Sequence, residues 1–201
     1  AASDVYKRQE IIFVDNGSTD GTVEYLQNLL KGHPNWKAIF NKKNKGFAYG
    51  NNQGACKARG RYLLFLNNDV LVSVGWLEEL VQAIDMDKEI GMVGPITNSI
   101  SGLQRIVKVP YNDERGFHQF AQQVLRINRN KITPRRTIAG FCMLISAELF
   151  HKLNGFDKRF GTGNFEDDDL CIRLRNLNFS IMVHEGVFIH HYGSQTFKAN
   201  K

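Results

Sequence analysis

Three groups of residues in this chain carry side chains able to move protons or hold cations. Asp15 and Asp69 each follow a run of apolar residues, in "IIFVD" and "LLFLNND". Glu166, Asp167, Asp168 and Asp169 stand side by side in "NFEDDDLCIRL", and His190 and His191 close "VFIHH". Carboxylates and imidazoles are the usual side chains of general acid–base chemistry. An aspartate and a histidine, with phosphate oxygens completing the shell, suit a divalent ion such as Mn²⁺ or Mg²⁺. A lone Asp after a strand is as readily a turn residue, since its carboxylate bonds nearby backbone. Two at equivalent strand ends point to a shared polar site. A calcium loop does not fit "DNGSTDG": Gly17 falls third, Asp20 sixth and Leu26 twelfth, where that loop needs an oxygen ligand, glycine and glutamate.

The four adjacent acids are unexpected in a chain of net charge +6. Part of the explanation is local. Placed at a helix start, each carboxylate gains about 0.3–1 kcal/mol from the helix dipole, and Asp169 can pair with Arg173 one turn on. Facing gives the rest. With Leu170, Leu174 and Leu177 as the buried stripe, Asp167 tends inward at the exposed end of the core, the setting of a general base. Asp168 and Asp169 are then mostly solubilising.

The elements that must hold these groups alternate. Ile11–Val14 is a continuous apolar run suited to a strand covered on both faces. Thr19 or Asp20 can cap a helix with Val23, Leu26 and Leu30 inside, ending near Gly32. "WKAIF" is a short strand. Small residues (Ala48, Gly50, Gly54, Ala55) crowd the next helix, which predicts close approach of its backbone to a sheet or ligand. Tyr62–Leu66 is a second apolar strand, ending in Asn67, Asn68 and Asp69. A helix carrying Leu77, Leu80, Val81 and Ile84 follows, then strands near "IGMVGP" and "TIAGFCMLIS", a helix at "AELFHKLNG", the acidic helix, and strands at "FSIMV" and "VFIHH". Alternation of this kind predicts an α/β fold: a mostly parallel, Rossmann-like sheet with helices on both faces. Ligands in such sheets bind beyond the carboxyl ends of the strands, where Asp15 and Asp69 stand. The chain is expected to lack an opening strand beside Ile11–Val14, with residues 1–9 outside the core and 10–201 a single domain.

The apolar share (42%) and charged share (23%) are those of an ordinary globular chain. Cys56, Cys142 and Cys171 are too few and scattered for a disulfide framework or zinc site. Without an apolar run of about 20 residues or a signal-peptide pattern, the chain reads as a cytoplasmic protein. Its basic excess lies in one stretch: residues 98–136 hold eight Lys/Arg against two acids. This is either a solvated surface or a face for an anionic partner, such as a phosphorylated acceptor or the inner face of the cell membrane. A nucleic-acid-binding module is disfavoured, because the stretch has little aromatic interleaving and no recognised motif. A sugar nucleotidyltransferase would share the sheet logic but usually carries a glycine-rich basic loop near its start.

Seven segments, "VDNGSTDGT", "NKGFAYGNNQG", "LLFLNNDV", "GFCMLIS", "NGFDKRF", "FEDDDLCIR" and "FIHHYGS", occur in the order found in family 2 glycosyltransferases of GT-A fold. The chain most resembles the bacterial branch that makes surface polysaccharides, with rhamnosyltransferase-like members. This resemblance implies inverting transfer from a dTDP-, UDP- or GDP-linked sugar to a glycan or lipid-pyrophosphate acceptor. It implies that Asp15, Asn16, Asn44, Gly46, Asn51, Asn52, Asn67 and Asn68 line the nucleotide-sugar site. Asp69 and His190 would hold the divalent metal, Asp167 would be the catalytic base with Glu166 beside it, and Gly140 and Phe141 would lie on the acceptor side. Residues 98–136 would be an acceptor-side insertion. Asn67 stands where the family's DXD motif has its first carboxylate.

Overall fold

The computed structural model describes residues 9–100, 104–106, 108–161 and 163–193. They form two compact units, one comprising the chain up to Leu63 with Ser146–Arg173, the other Leu64–Ile145 with the chain from Leu174.

In the first unit, β1 (Ile11–Asp15) and β2 (Trp36–Phe40) pair in parallel, from Ile11 opposite Trp36 to Asp15 opposite Phe40. The crossover between them is helix α1 (Thr22–Lys31), which buries Leu26 and ends at Gly32. Its N-cap is Gly21, at φ 88°, rather than Thr19 or Asp20. Asp20 nevertheless serves the same end, its carboxylate accepting from the Thr22 backbone N–H at 3.2 Å and the Thr22 hydroxyl at 2.6 Å. Helix α2 (Phe47–Ala55) shows why its residues are small. A Cβ on Gly50 would stand 3.1 Å from Asn16 Nδ2 and 3.5 Å from Val14 Cγ1, and one on Gly54 would stand 3.3 Å from Val14 Cγ2. The absent side chains let α2 lie directly on β1.

Helix α5 (Ala147–Lys152) follows in the same unit, capped by the Ser146 hydroxyl, which accepts from Leu149 N–H at 3.0 Å. Asn154 and Gly155 then reverse the chain at φ 59° and 69°. Two side chains fasten this reversal. Asn52 donates to Phe156 O at 2.7 Å and accepts from Phe156 N–H at 2.9 Å. Arg173, on helix α6 (Glu166–Asn176), donates to the carbonyls of Leu153 at 2.5 Å and Gly155 at 2.9 Å. Cys171 and Leu174 of α6 are fully buried with Leu170, whereas Leu177, expected inside, is 39% exposed.

The second unit is built on a six-stranded sheet of order β3–β7–β5–β8–β4, with β6 also on β8. Its strands are β3 (Tyr62–Leu66), β4 (Val70–Leu71), β5 (Ile90–Thr97), β6 (Ile132–Arg135), β7 (Cys142–Ser146) and β8 (Ser180–His191). The sheet is mixed rather than mostly parallel. β5 and β8 are parallel, but β7 on β5 and both β4 and β6 on β8 are antiparallel. The two apolar runs at "FSIMV" and "VFIHH" form one strand, β8, bulged between His184, opposite Pro95, and Phe188, opposite Ile96. Helix α3 (Trp76–Asp85) buries Leu80 completely.

The basic stretch is not an open loop. It contains helix α4 (Glu114–Asn128), capped by Asp113 and burying Phe117, Ala121 and Val124, and then β6. Arg129 pairs with the buried Glu79 at 2.5 Å, while Lys131 and Arg135 pair with Glu185 at 2.5 and 3.5 Å. Among the described residues no helix is long and apolar enough to cross a membrane.

Asn52→Ala removes both bonds to Phe156 and leaves two backbone groups without their partner. It should destabilise the protein by about 1–3 kcal/mol. The measurement is a urea midpoint at unchanged m-value; a midpoint matching the parent would show that the reversal at Gly155 does not need this clamp.

Candidate functional site

In the first unit the end of β1 is a pre-formed polar turn. Asp15 is 5% exposed, and its carboxylate accepts from the backbone N–H groups of Gly17 at 3.1 Å and Ser18 at 3.2 Å. Gly17 has φ 84°, and a Cβ there would lie 2.9 Å from the Lys43 backbone, so the turn is held hard against the following loop. Asn16 donates to Gly46 O at 3.1 Å and accepts from Asn41 at 3.0 Å, while Asn41 and Gln53 exchange amide bonds at 2.7 and 3.2 Å. Asn44 accepts from Gly46 N–H at 2.8 Å. Asp15, Asn16, Asn44 and Gly46 are thus brought together. Asn51 and Asn52 are not joined to this set by their side chains: Asn51 donates to Phe47 O at 3.0 Å, and Asn52 is the clamp on Phe156. Asn41 and Gln53 escaped the sequence reading because nothing local in their positions marks an amide ladder.

The four acids on α6 have separate surroundings. Asp169 pairs with Arg173 at 2.6 Å and so belongs to the fastening of Leu153 and Gly155, beyond the solubilising part expected of it. Asp167, half-buried, accepts from the Asp168 N–H at 3.0 Å. The most inward acid is Glu166, only 5% exposed, with Oε2 buried and lacking a hydrogen-bond partner. Burial first, against an opposing bond from its own backbone, and then the charges of Asp167 and Asp168 hold its carboxyl above the ordinary glutamate range.

The second unit brings Asp69 against a histidine, and that histidine is His191. Val70 stands opposite His191 in the β4–β8 ladder, and His191 Nε2 lies 3.2 Å from Asp69 Oδ1. Sequence alternation leaves open which of the pair faces inward; the structure gives His190 a different neighbour. His191 Nδ1 is 2.8 Å from Ser99 O. A carbonyl only accepts, so Nδ1 carries a proton, and in the neutral ring Nε2 presents a lone pair. That Nε2 is buried without a hydrogen-bond partner. In that form two acceptors, Asp69 Oδ1 and His191 Nε2, face one another, an arrangement that a cation would satisfy. Histidines that ligate metals characteristically give their other N–H to a carbonyl in this way. Among the described residues no group of three or more His, Cys, Asp or Glu side chains is placed to hold an ion. The pair could supply two of the ligands of a divalent ion.

Several supports hold this pair. Asn98 bonds both backbone groups of His191, accepting at 2.8 Å and donating at 3.2 Å, and the Asp69 carbonyl accepts from Tyr192 N–H at 2.9 Å. Phe141, 3% exposed, stacks on the His191 ring with centroids 5.2 Å apart. Its neighbour Gly140 is buried, Asn67 N–H donates to Phe141 O at 2.9 Å, and Asn68 is exposed. Gln104 ties the loop before Gly140 to β5, accepting from Ala139 N–H at 2.9 Å and donating to Pro95 O at 2.8 Å. His190 instead meets Tyr111, whose hydroxyl is 2.6 Å from His190 Nδ1. Burial pushes the Tyr111 phenol up to about 12 and depresses His190, so the phenol donates and His190 is neutral with its proton on Nε2.

The chain belongs to glycosyl transferase family 2, whose profile matches residues 2–153. A second match, to the N-terminal domain of galactosyltransferase, covers residues 125–194 and so takes in the acidic helix and β8. The O-antigen biosynthesis protein RfbC of Myxococcus xanthus is 25% identical over 224 residues, spanning 97% of this chain and 16% of that protein. GalNAc-T7, solved with UDP, GalNAc and Mn²⁺, superposes with a TM-score of 0.70 at 21% identity over 90% of this chain and 37% of that one. The mannosyltransferase PcManGT of Pyrobaculum calidifontis, solved with GDP-Man and Mn²⁺, gives 0.68 at 17% identity over 96% of this chain and 52% of that one. The fold is GT-A. This chain spans between 16% and 32% of the length of the curated relatives it matches.

Because the folded protein holds the Glu166 proton more tightly than the unfolded chain does, stability falls as pH rises past the ordinary glutamate value of 4.5. Glu166→Gln removes that contribution. Urea midpoints of the two proteins from about pH 4 to about pH 8 should diverge, with the glutamine variant gaining as pH rises. Parallel curves would show that Glu166 titrates as a free glutamate.

Proposed function

We propose that this chain is the transferase domain of a metal-dependent, inverting glycosyltransferase that moves a sugar from a nucleoside-diphosphate donor to a hydroxyl of a glycan or lipid-linked acceptor. The observation that carries the reading is the facing pair of acceptors, Asp69 Oδ1 and His191 Nε2, 3.2 Å apart. Family membership supports it, as do the Mn²⁺ and the UDP or GDP-Man with which its structural neighbours were solved. The likeness to an O-antigen biosynthesis protein supports a role in surface polysaccharide synthesis.

Asp69 and His191 would hold the divalent ion; when bound, it supplies positive charge against the negative charge developing on the departing diphosphate. The turn of Asp15 and Asn16, with Asn44 and Gly46, would take the nucleoside. Asp167 would accept the proton of the acceptor hydroxyl as that oxygen attacks the anomeric carbon. The bond from that carbon to the diphosphate oxygen breaks in the same displacement, so configuration inverts. Glu166, the buried acid immediately before Asp167, would stand beside the base with its own proton held above the ordinary glutamate range.

Thermal-shift and calorimetric titration with UDP-, dTDP- and GDP-sugars in the presence of Mn²⁺ identifies the donor; binding of none would overturn the reading. With that donor, Asp167→Asn should lower transfer by about 10²–10⁴-fold while donor binding persists. Near-parental turnover would remove Asp167 as the base.

His191→Ala should weaken Mn²⁺ binding, followed by water-proton relaxation, by at least the about 10- to 100-fold that loss of a supporting partner causes. His190→Ala should leave it unchanged. EDTA should stop transfer. Equal effects of the two histidine variants would contradict the assignment of Nε2 of His191.

A further inference from the structure

Phe165 immediately precedes the acidic helix, and three features of it run against local preference. Its backbone lies at φ 70°, in the left-handed region, where an L side chain costs about 1–2 kcal/mol. Its ring is 67% exposed although it is among the largest apolar side chains. It also holds the N-cap place of α6, since its carbonyl accepts the Asp169 N–H at 2.9 Å. Ser, Thr, Asp or Asn at that place would cap the helix with a side-chain oxygen. Phenylalanine cannot, and the Asp168 N–H that such a cap would serve is taken by Asp167 instead, at 3.0 Å.

Glycine would relieve the backbone and asparagine would both tolerate it and cap. The neighbours do not relieve it: Gly163 and Asn164 also have positive φ, 146° and 85°, so the turn sets the ring's place rather than leaving it to find one. Strain concentrated at one residue is characteristic of ligand-contacting positions. What lies next to it names the ligand: Glu166 and Asp167 follow directly in sequence. A pyranose has faces made of C–H groups that pack on an aromatic ring while its hydroxyls remain free for polar partners, the combination found in ligand sites lined by aromatics.

We propose that Phe165 is the platform for the acceptor: its exposed ring carries the C–H face of the pyranoside whose hydroxyl is to be deprotonated. Phe165 is then a specificity-determining residue for the acceptor and takes no part in donor binding. The acceptor role rests on the transferase reading above, but the platform itself is a binding property that can be measured without turnover.

The test is saturation-transfer NMR on the full chain with methyl β-D-glucopyranoside, methyl β-D-galactopyranoside and methyl N-acetyl-β-D-glucosaminide. At least one should show saturable binding. Phe165→Ala should weaken it about fivefold or more, the scale of one lost stacking partner, and Phe165→Trp should restore it. Phe165→Gly, which frees the backbone, should raise the thermal midpoint while losing glycoside binding, which separates strain from contact. Nucleotide-sugar affinity should be the same in all four proteins. Glycoside signals indifferent to Phe165→Ala, no saturable glycoside binding, or parallel loss of nucleotide-sugar binding would each overturn the platform. Conversely, glycosides that bind through Phe165 in a chain that binds no nucleotide sugar would leave the platform standing and remove the transferase reading.

Discussion

The register of β8 is the constraint on which the second unit depends. Parallel pairing with β5 fixes one edge of the strand, while β6 and β4 are antiparallel to it near its start and its end. Side chains alternate along a strand, so a slip of one residue would exchange the faces of His190 and His191. The bulge between His184 and Phe188 sets that parity. Between the flanking pairs β5 advances by one residue and β8 by four, so the alternation after the bulge is the reverse of that in the stretch from Met92 to Pro95. The lone pair of His191 toward Asp69, the Asn98 bonds to His191 and the Tyr111–His190 bond all follow from it.

In the first unit the acidic helix eases the crowding of its own charges by giving Glu166, Asp167 and Asp169 different surroundings. Asp169 is neutralised by Arg173, whose remaining N–H groups fasten the reversal after α5. Asp167 serves a backbone N–H that Phe165 cannot, and Glu166 lies under the helix end with a raised proton affinity. The succession is tolerable because three of the four acids have environments of their own: one is paired, one is bonded to the helix end, and one favours its proton.

Much of the fold was legible because apolar runs and small-residue stripes are local signals. Tyr62–Leu66 and "WKAIF" are strands, and α2 packs where its glycines predicted close approach. Pairing directions were not legible, because they depend on which distant segment lies alongside, and the sheet proved mixed. The elements within the basic stretch, α4 and β6, were not legible, because their apolar positions are diluted by charges whose partners, Glu79 and Glu185, lie far away in sequence. At the site, the strand-end acids could be named from position alone. The choice between the two histidines needed the bulge, and the inward acid proved to be Glu166, since the buried stripe runs through Leu170, Cys171 and Leu174 and leaves Leu177 outside.

The internal pairing of the basic stretch alters what the molecule presents to ions at a distance. Arg129, Lys131 and Arg135 are answered at short range by Glu79 and Glu185, so their fields close locally and contribute little beyond a Debye length of about 8 Å in physiological salt. The long-range potential of this surface is therefore that of a smaller cation set than its composition suggests. Arrivals of anionic molecules would be steered by the remaining arginines and lysines, with rates that fall as ionic strength rises, while the tied cations act as rivets between β6, β8 and α3.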